Sequence, residues 1–331
     1  MKSYFTPVLL ALAGAAAAGE MPLLNDHLRI TLPDQAEYYT PGAALMEAAR
    51  KADETNIRVG KGADALYLRA REKHYTVDGD FAKGVKDAMA ALNAGATRYS
   101  INQEGDNLVY ALRLQDPKDV PADDAAVVCH AEYRHPDGSV QKFTIGAAAG
   151  AAKDMEKCRK AAVEWLKGIR PGNTPLQLQE RVEYQQSYMK DCRVAVQVPQ
   201  GYTATLSEGD GFHFTAYSKL VKRGDGPEEI SVQVGDHPEL VFEKVPAAEQ
   251  FKQEGTLMGR KVQWHLYAAP GVYVAECVLP LGARGGEVTF SDKVQGEVVY
   301  VHISLYGKNA ATRTELIRQA EKTTLEPLPK E

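Results

Sequence analysis

The sequence predicts an α+β fold: two tandem domains, each a mainly antiparallel β-sheet with helices packed on it. Three observations carry that expectation. "DHLRITLPDQAEYY" (26–39) and "DCRVAVQVPQGYT" (191–203) open alike, with alternating apolar residues running into a proline. "NLVYALRLQD" (107–116) and "GVYVAECVLP" (271–280) form a second echo, 163 residues apart at Tyr110 and Tyr273 against 166 at Pro33 and Pro199. Each half also orders strands, a helix, more strands and a closing helix. That order suits helices covering an antiparallel sheet rather than a doubly wound parallel one.

The chain begins MKSYFTPVLLALAGAAAAGE. Lys2 is positive, Val8 to Ala18 are apolar or small, and Ala16-Ala17-Ala18 offers a cleavage site. This predicts a secretory signal peptide over 1–18, too short to span a bilayer as a helix. No later stretch is apolar for eighteen residues, so no transmembrane segment is expected. The remaining length suits two domains of about 150 residues: 19–172 and 191–331, with a linker at 173–190 that comes after the breaker-rich "GIRPGNTP" (168–175).

In the first half, Leu28, Ile30 and Leu32 share one strand face by period two and match Val194, Val196 and Val198. A helix is expected around 43–53, then strands near 56–60 and 64–74. Phe81, Val85, Met89 and Leu92 form one stripe of a helix at 80–93, with Asp80 to cap it and Gly95 to end it. Strands come next at 97–103, 107–115, 126–134 and 140–146, the last two joined by the turn His135-Pro136-Asp137-Gly138. A helix at 151–169 closes the half, with Met155, Cys158, Ala162, Trp165 and Ile169 on one face. In the second half, strands are expected at 192–198, 211–218 and 228–234, a helix at 246–257, strands at 260–266, 271–279, 286–291 and 297–306, and a helix at 309–322. The polar stretch 176–191 fits either helix or strand.

"VQVPQGYT" (196–203) and "LIRQAEKTTL" (316–325) carry a family likeness. The strand, proline and aromatic opening and the closing helix resemble the PsbP-like superfamily, over about 130 residues of the second half. The first half departs from it, with Gln35-Ala36-Glu37 where the second has Gln200-Gly201-Tyr202. The resemblance implies a sheet with packed helices, used mainly for binding, in extrinsic photosystem subunits and bacterial periplasmic proteins. It implies no catalytic residue.

The four cysteines of an exported chain allow three disulfide connectivities. Cys129 is in phase with Val127 and Ala131, and Cys158 lies on the apolar stripe of the closing helix. Cys192 is in phase with Val194, and Cys277 with Ala275 and Leu279. The expected pairs are Cys129–Cys158 and Cys192–Cys277. Cys129 and His130 point to opposite strand faces, so they cannot act as nucleophile and base.

Other chemistries find little support. "CHAEYRH" (129–135) puts His130 and Glu132 on one face with His135 at the turn, without the downstream PCxxC that a zinc deaminase needs. "GKGADA" (60–65) spells a dinucleotide loop, but the next residues, "LYLRAREKH" (66–74), alternate like a strand rather than starting a helix. There is no HExxH, GxSxG or GxxxxGK[ST]. Cofactors are therefore not expected. A net charge of −5 gives no reason to expect nucleic acid as partner.

The strand at 297–306 is the most informative. Val299, Val301, Ile303 and Leu305 form one aliphatic face; Val298, Tyr300, His302, Ser304 and Tyr306 form a mixed, aromatic one. Aromatics with polar tips are frequent at recognition sites, so Tyr300, His302 and Tyr306 are candidate binding residues, joined by Trp264 from the strand at 260–266. The functional expectation is an exported, periplasmic or secreted, non-enzymatic binding or accessory protein of a bacterial envelope with a protein or glycan partner. The alternative is a secreted hydrolase whose active site assembles only in space.

Overall fold

A computed structural model describes residues 19–24, 26–39, 54–76, 80–92, 99–113, 126–136, 138–148, 150–209, 211–222 and 224–329. The expected leader at 1–18 and helix at 43–53 lie outside the described residues.

The chain runs through β1 (Glu20–Leu23), β2 (Leu28–Thr31), β3 (Ala36–Tyr38), β4 (Glu54–Val59), β5 (Leu66–Thr76), α1 (Phe81–Leu92), β6 (Tyr99–Glu104), β7 (Leu108–Arg113), β8 (Ala126–Arg134), β9 (Ser139–Ala147), α2 (Met155–Lys167) and β10 (Arg170–Pro171). It continues through β11 (Arg181–Gln186), β12 (Cys192–Val198), β13 (Tyr202–Gly209), β14 (Phe212–Lys219), β15 (Val221–Lys222), β16 (Glu228–Gly235), β17 (Phe251–Leu257), β18 (Arg260–Ala269), β19 (Val272–Ala283), β20 (Val298–Gly307), α3 (Ala310–Ala320) and β21 (Thr324–Pro327). The architecture is antiparallel sheet with helices packed on it.

Two large sheets dominate. The first has the order β3-β4-β5-β9-β8-β7-β6 and the second β13-β14-β16-β20-β19-β18-β17. Two three-stranded sheets, β1-β2-β10 and β11-β12-β21, lie beside them. The strand orders agree position for position. They also change one expected match: β7, which holds Tyr110, takes the place of β18, not of β19, which holds Tyr273. The strand in β19's position is β8, so Cys129 and Cys277 occupy corresponding strands. Chance spelling, not correspondence, produced the second echo.

Each large sheet buries one face in its own core. In the first, Leu68, Phe143 and Ile145 meet Trp165 and Leu166 of α2 and Leu28 and Ile30 of β2. In the second, Val301, Ile303 and Leu305 meet Leu316 and Ile317 of α3 and Val194 and Val196 of β12. α1 and α3 start within a residue of the expected positions, whereas α2 starts at Met155, behind a 3₁₀ turn at Ala151–Lys153; the Asp80 carboxylate accepts the Lys83 amide at 2.9 Å, and Asp154 and Asn309 cap α2 and α3 in the same way. The His135–Gly138 turn closes with the His135 amide on the Ser139 carbonyl at 2.7 Å. A parallel ladder of Val221 with Tyr75 and Lys222 with Thr76 joins β15 to the end of β5, linking the two large sheets.

Two expectations fail locally. Residues 251–257 form β17, not the second half of a helix, with only short 3₁₀ turns before it at Val241–Lys244 and Ala247–Glu249. The reason is the two-residue hairpin after it: Leu257 pairs with Arg260, and Met258 and Gly259 both have positive φ, 52° and 73°, as a type I′ turn requires. Ladder bonds to β18 outweigh the helical propensity of Ala247 to Lys252. Residues 286–291 form no strand; the amides of Thr289 and Phe290 both bond the Leu281 carbonyl instead.

The expected disulfides are also corrected. All four cysteines are buried free thiols. Phase placed each pair in a common core, and two of the thiols meet other groups there. Cys158 turns its thiol to the Ala151 carbonyl at 3.0 Å. Cys192, the first residue of β12, sits beside the Ser187 hydroxyl at 3.6 Å. Cys277 lies mid-strand opposite Ile303, and burial pushes its thiol up to about 12. Burial pushes Cys129 up further still. The thiolate is the reactive form, so iodoacetamide is expected to label no cysteine in the native protein at neutral pH and four after denaturation without reductant. Fewer than four would show a bond.

Candidate functional site

β20 sits at the centre of the second sheet and divides its residues as the period-two pattern dictates. Val299, Val301, Ile303 and Leu305 are fully buried on the core face. Tyr300, His302, Ser304 and Tyr306 face the other way. Cross-strand register extends this outer face. Ser304 pairs with Glu276, and Glu276 with His265. Tyr306 pairs with Val274, and Val274 with Tyr267.

The same register corrects Trp264. Its neighbour His265 is the outer-face residue, so Trp264 points into the core, 0% exposed, with its indole N–H 3.4 Å from the Glu321 carboxylate. One residue of phase separates the two faces, and sequence offers no strand register from which to choose. His302 is on the expected face but is buried. Tyr300 and Tyr306 are half-buried there, and burial raises the Tyr306 hydroxyl above its ordinary value.

The group at the middle of this face is Glu276, which the sequence reading did not single out. It is 0% exposed. Oε1 accepts from His302 Nε2 at 2.6 Å and from the Val241 amide at 3.0 Å. Oε2 accepts from the Phe242 amide at 2.8 Å and lies 3.4 Å from the Tyr267 hydroxyl. Residues 236–250 thus form a strap held onto the sheet by one carboxylate. Phe242 also stacks on His265, centroids 3.7 Å apart at 12°. Gln250 closes the strap on itself, donating to the Phe242 and Val245 carbonyls at 2.7 and 2.6 Å. A buried glutamate in the period of Val274 and Val278 is the signal that could have found it, because a charge among apolar residues needs partners.

Burial acts to raise the Glu276 carboxyl, but the hydrogen bonds from His302, Phe242 and Val241 outweigh it, and the group stays below its ordinary value. Burial, then the Lys252 charge, lowers the His265 imidazole, against the pull of Glu276 and Glu243. Burial, then the Glu276 charge, raises the Tyr267 hydroxyl.

Ser304 Oγ lies 3.3 Å from His302 Nε2, which completes a glutamate, histidine and serine group. Its geometry is not that of a nucleophile relay. A relay needs the acid on one ring nitrogen and the serine on the other. Here both meet Nε2, and the nitrogen that donates to Glu276 cannot take the Ser304 proton. The group works as a clamp.

The strap begins at Asp236, directly after Gly235 at the end of β16. Gly235 stands between Phe212 and Tyr300 in one cross-strand row, and Phe214 lies one row along. All three rings are half-buried. A Cβ at Gly235 would fall 2.3 Å from the Gly211 carbonyl oxygen, and its φ is 154°. Glycine is required there, because the Gly211–Phe212 backbone occupies the space a side chain would take.

The remaining candidates disperse. His130 bonds Thr144 Oγ1 at 3.3 Å on the outer face of the first sheet, whereas His135 packs edge-on against Tyr133 on the other side. After the 3₁₀ turn Gly62–Asp64 comes β5, not a helix, so "GKGADA" presents no helix N-terminus. Among the described residues no helix is long and apolar enough to cross a membrane.

No family model and no curated protein matches the chain. Among solved structures, the immunity protein TplEi of the T6SS from Pseudomonas aeruginosa, complexed with an "L" peptide, is similar over 92% of this chain and 96% of that one, at 10% identity and a TM-score of 0.22. A likeness at that score carries no argument.

Removing the carboxylate strands two amides and an imidazole. Glu276→Ala is therefore expected to destabilise the protein by about 3–5 kcal/mol, read by urea unfolding, with hydrogen exchange accelerated first at Val241 and Phe242. Because the Glu276 carboxyl is depressed in the folded state, its contribution is fully present above the unfolded value, about 4.3. It is lost as pH falls through the lower folded value. The protection of the same amides, relative to the intrinsic exchange rate at each pH, should fall below about pH 4 in the unaltered protein.

Proposed function

We propose that the chain is an exported, non-enzymatic binding or accessory protein of a bacterial envelope, periplasmic or secreted, that recognises a protein or glycan partner. The single observation that carries the reading is the row of half-buried rings at the Gly235 end of the outer face: Phe212 and Tyr300 share a cross-strand row with Gly235, and Phe214 lies one row along. Half-buried rings held by a sheet lose little freedom on binding and offer apolar area with, for tyrosine, a polar tip. Tyr300 contributes directly to this surface, Tyr306 lies further along β20, and His302 acts beneath it through Glu276.

The architecture proposed with this function is a tandem pair of PsbP-like units. What supports it is the agreement of the two strand orders, extended by the small sheets: β2 between β1 and β10, and β12 between β11 and β21. "VQVPQGYT" spans β12 into β13, and "LIRQAEKTTL" spans α3 into β21, the elements for which the likeness was noted. The units are 19–172 and, since β11 pairs with β12, a second that starts about ten residues before 191. The leader sequence supports export. Among the described residues, the glutamate, histidine and serine group does not favour the hydrolase reading, because it has both partners on a single ring nitrogen.

Capture with the chain lacking residues 1–18, followed by mass spectrometry, and a glycan array run alongside, would name the partner class. Tyr300→Ala with Tyr306→Ala is expected to weaken that binding by about tenfold or more, ~1.4 kcal/mol, with circular dichroism unchanged. Loss of fold would assign both rings to the core; retained affinity would remove this face from the interaction.

A further inference from the structure

The second large sheet ends in an open edge. β17 is its last strand, and among the described residues no strand pairs with its outer side. The register with β18 fixes which backbone groups point there. Leu257 and Arg260 close the two-residue hairpin, so Leu257, Gly255, Gln253 and Phe251 turn their N–H and C=O groups to β18, and those of Lys252, Glu254 and Thr256 point away from it. The Thr256 amide follows that direction: it donates to the carboxylate of Glu321, at the C-terminal end of α3, at 3.0 Å. This bond caps the edge at Thr256. Lys252 and Glu254 keep their outward backbone groups for water or for another strand.

The side chains on this edge select one kind of strand. Every residue from Phe251 to Glu254 is exposed, and Phe251, at 68%, is the most exposed large apolar side chain among the described residues. Lys252 and Glu254 stand on the outer face, where Lys252 lies opposite His265. Neither has an ion pair among the described residues. A charge on an edge strand ordinarily repels copies of itself. Here two charges of opposite sign stand two residues apart. Turned antiparallel about Gln253, a second β17 sets its Glu254 against Lys252 and its Lys252 against Glu254. The same register sets Phe251 opposite Gly255 of the second copy, where no side chain opposes the ring, an aromatic–glycine pairing that supports strand edges. β13, at the other edge of the sheet, carries no Lys or Arg and cannot make such a self-complementary pair.

We propose that β17 is a self-recognition edge, at which a second copy of this chain pairs antiparallel about a two-fold axis through Gln253 and joins the two seven-stranded sheets into one. Lys252 and Glu254 of each copy exchange backbone hydrogen bonds with Glu254 and Lys252 of the other, and Glu321 ends the ladder at Thr256 in both. Such a contact uses the same patch on both copies, so it closes at two and leaves no edge to propagate. A ladder this short falls below the area of a permanent interface, and the association is weak and concentration-dependent. It involves neither the Gly235 row nor the strap's clamp, so it stands or falls apart from the partner reading above.

The test is sedimentation equilibrium of the full chain between about 1 µM and 1 mM, with hydrogen exchange at both ends of that range. The mass is expected to rise from one chain towards two, and the Lys252 and Glu254 amides to gain protection as it does. Lys252→Glu and Glu254→Lys each set like charges opposite one another, and each should weaken association about tenfold or more. An equimolar mixture of the two variants restores both opposite-charge pairs in a mixed dimer. The chain carrying both changes restores them between identical copies. Both are expected to associate as the unaltered chain does, with circular dichroism the same throughout because the two positions are exposed. A chain that stays monomeric over the whole range, a mass beyond two copies, a dimer indifferent to either single change, or a mixture and a double variant that both stay monomeric would each overturn the proposal.

Discussion

A carboxylate sealed from water must have its lone pairs filled by the protein, and in the second sheet that requirement falls on Glu276. Its position in β19, opposite Ser304 and beside His302, puts a negative charge at the centre of a seven-stranded surface. Two amides, an imidazole and a phenol answer it. The arrangement fixes where the connection between β16 and β17 must lie, and it draws His302 inward. The first sheet covers its corresponding face by different physics. Between β5 and β6 it inserts α1, whose Phe81, Val85 and Met89 pack on Val109, Ala111 and Val140. One cover is apolar and indifferent to protonation; the other hangs on a single ionised group.

That contrast explains what the sequence could and could not disclose. The stripe Phe81, Val85 and Met89 is local, so α1 is legible from spacing alone. The strap has no periodicity to read, because its placement is written in Glu276, some thirty residues downstream. The error over 246–257 has the same origin. Helical propensity there is a local signal, whereas the ladder that overrides it depends on the Met258-Gly259 turn and on a partner strand. Trp264 shows the sharpest limit: alternation named the two faces of β18 and β20 correctly, but matching a face of one to a face of the other takes a register that no single strand carries.

The cysteines teach a related point from the opposite direction. Phase assigned each pair to a common core, and the thiols do lie there. A disulfide demands more than a common core, since the two Cα atoms must come within about 7 Å with their Cβ vectors converging. Position along an element is the missing coordinate: Cys192 begins its strand while Cys277 sits at the middle of another. Burial then makes each thiol a small apolar side chain whose ionised form is disfavoured.

Where the protein meets a partner depends on where its covers end. The Glu276 clamp secures the strap at the middle of the sheet and has no reach to the row of Gly235, where tight passage of the Gly211–Phe212 backbone forbids a side chain. The half-buried Phe212 and Tyr300 rings thus share a row with no side chain between them. The joint behind the first sheet obeys a parallel logic. Its forced glycine at 172 fixes how closely it passes Asp26, while Ser139 and Gln141 of β9 stay sealed from water. In both places a glycine is forced by the close approach of two backbones, and that approach sets where the neighbouring side chains can stand.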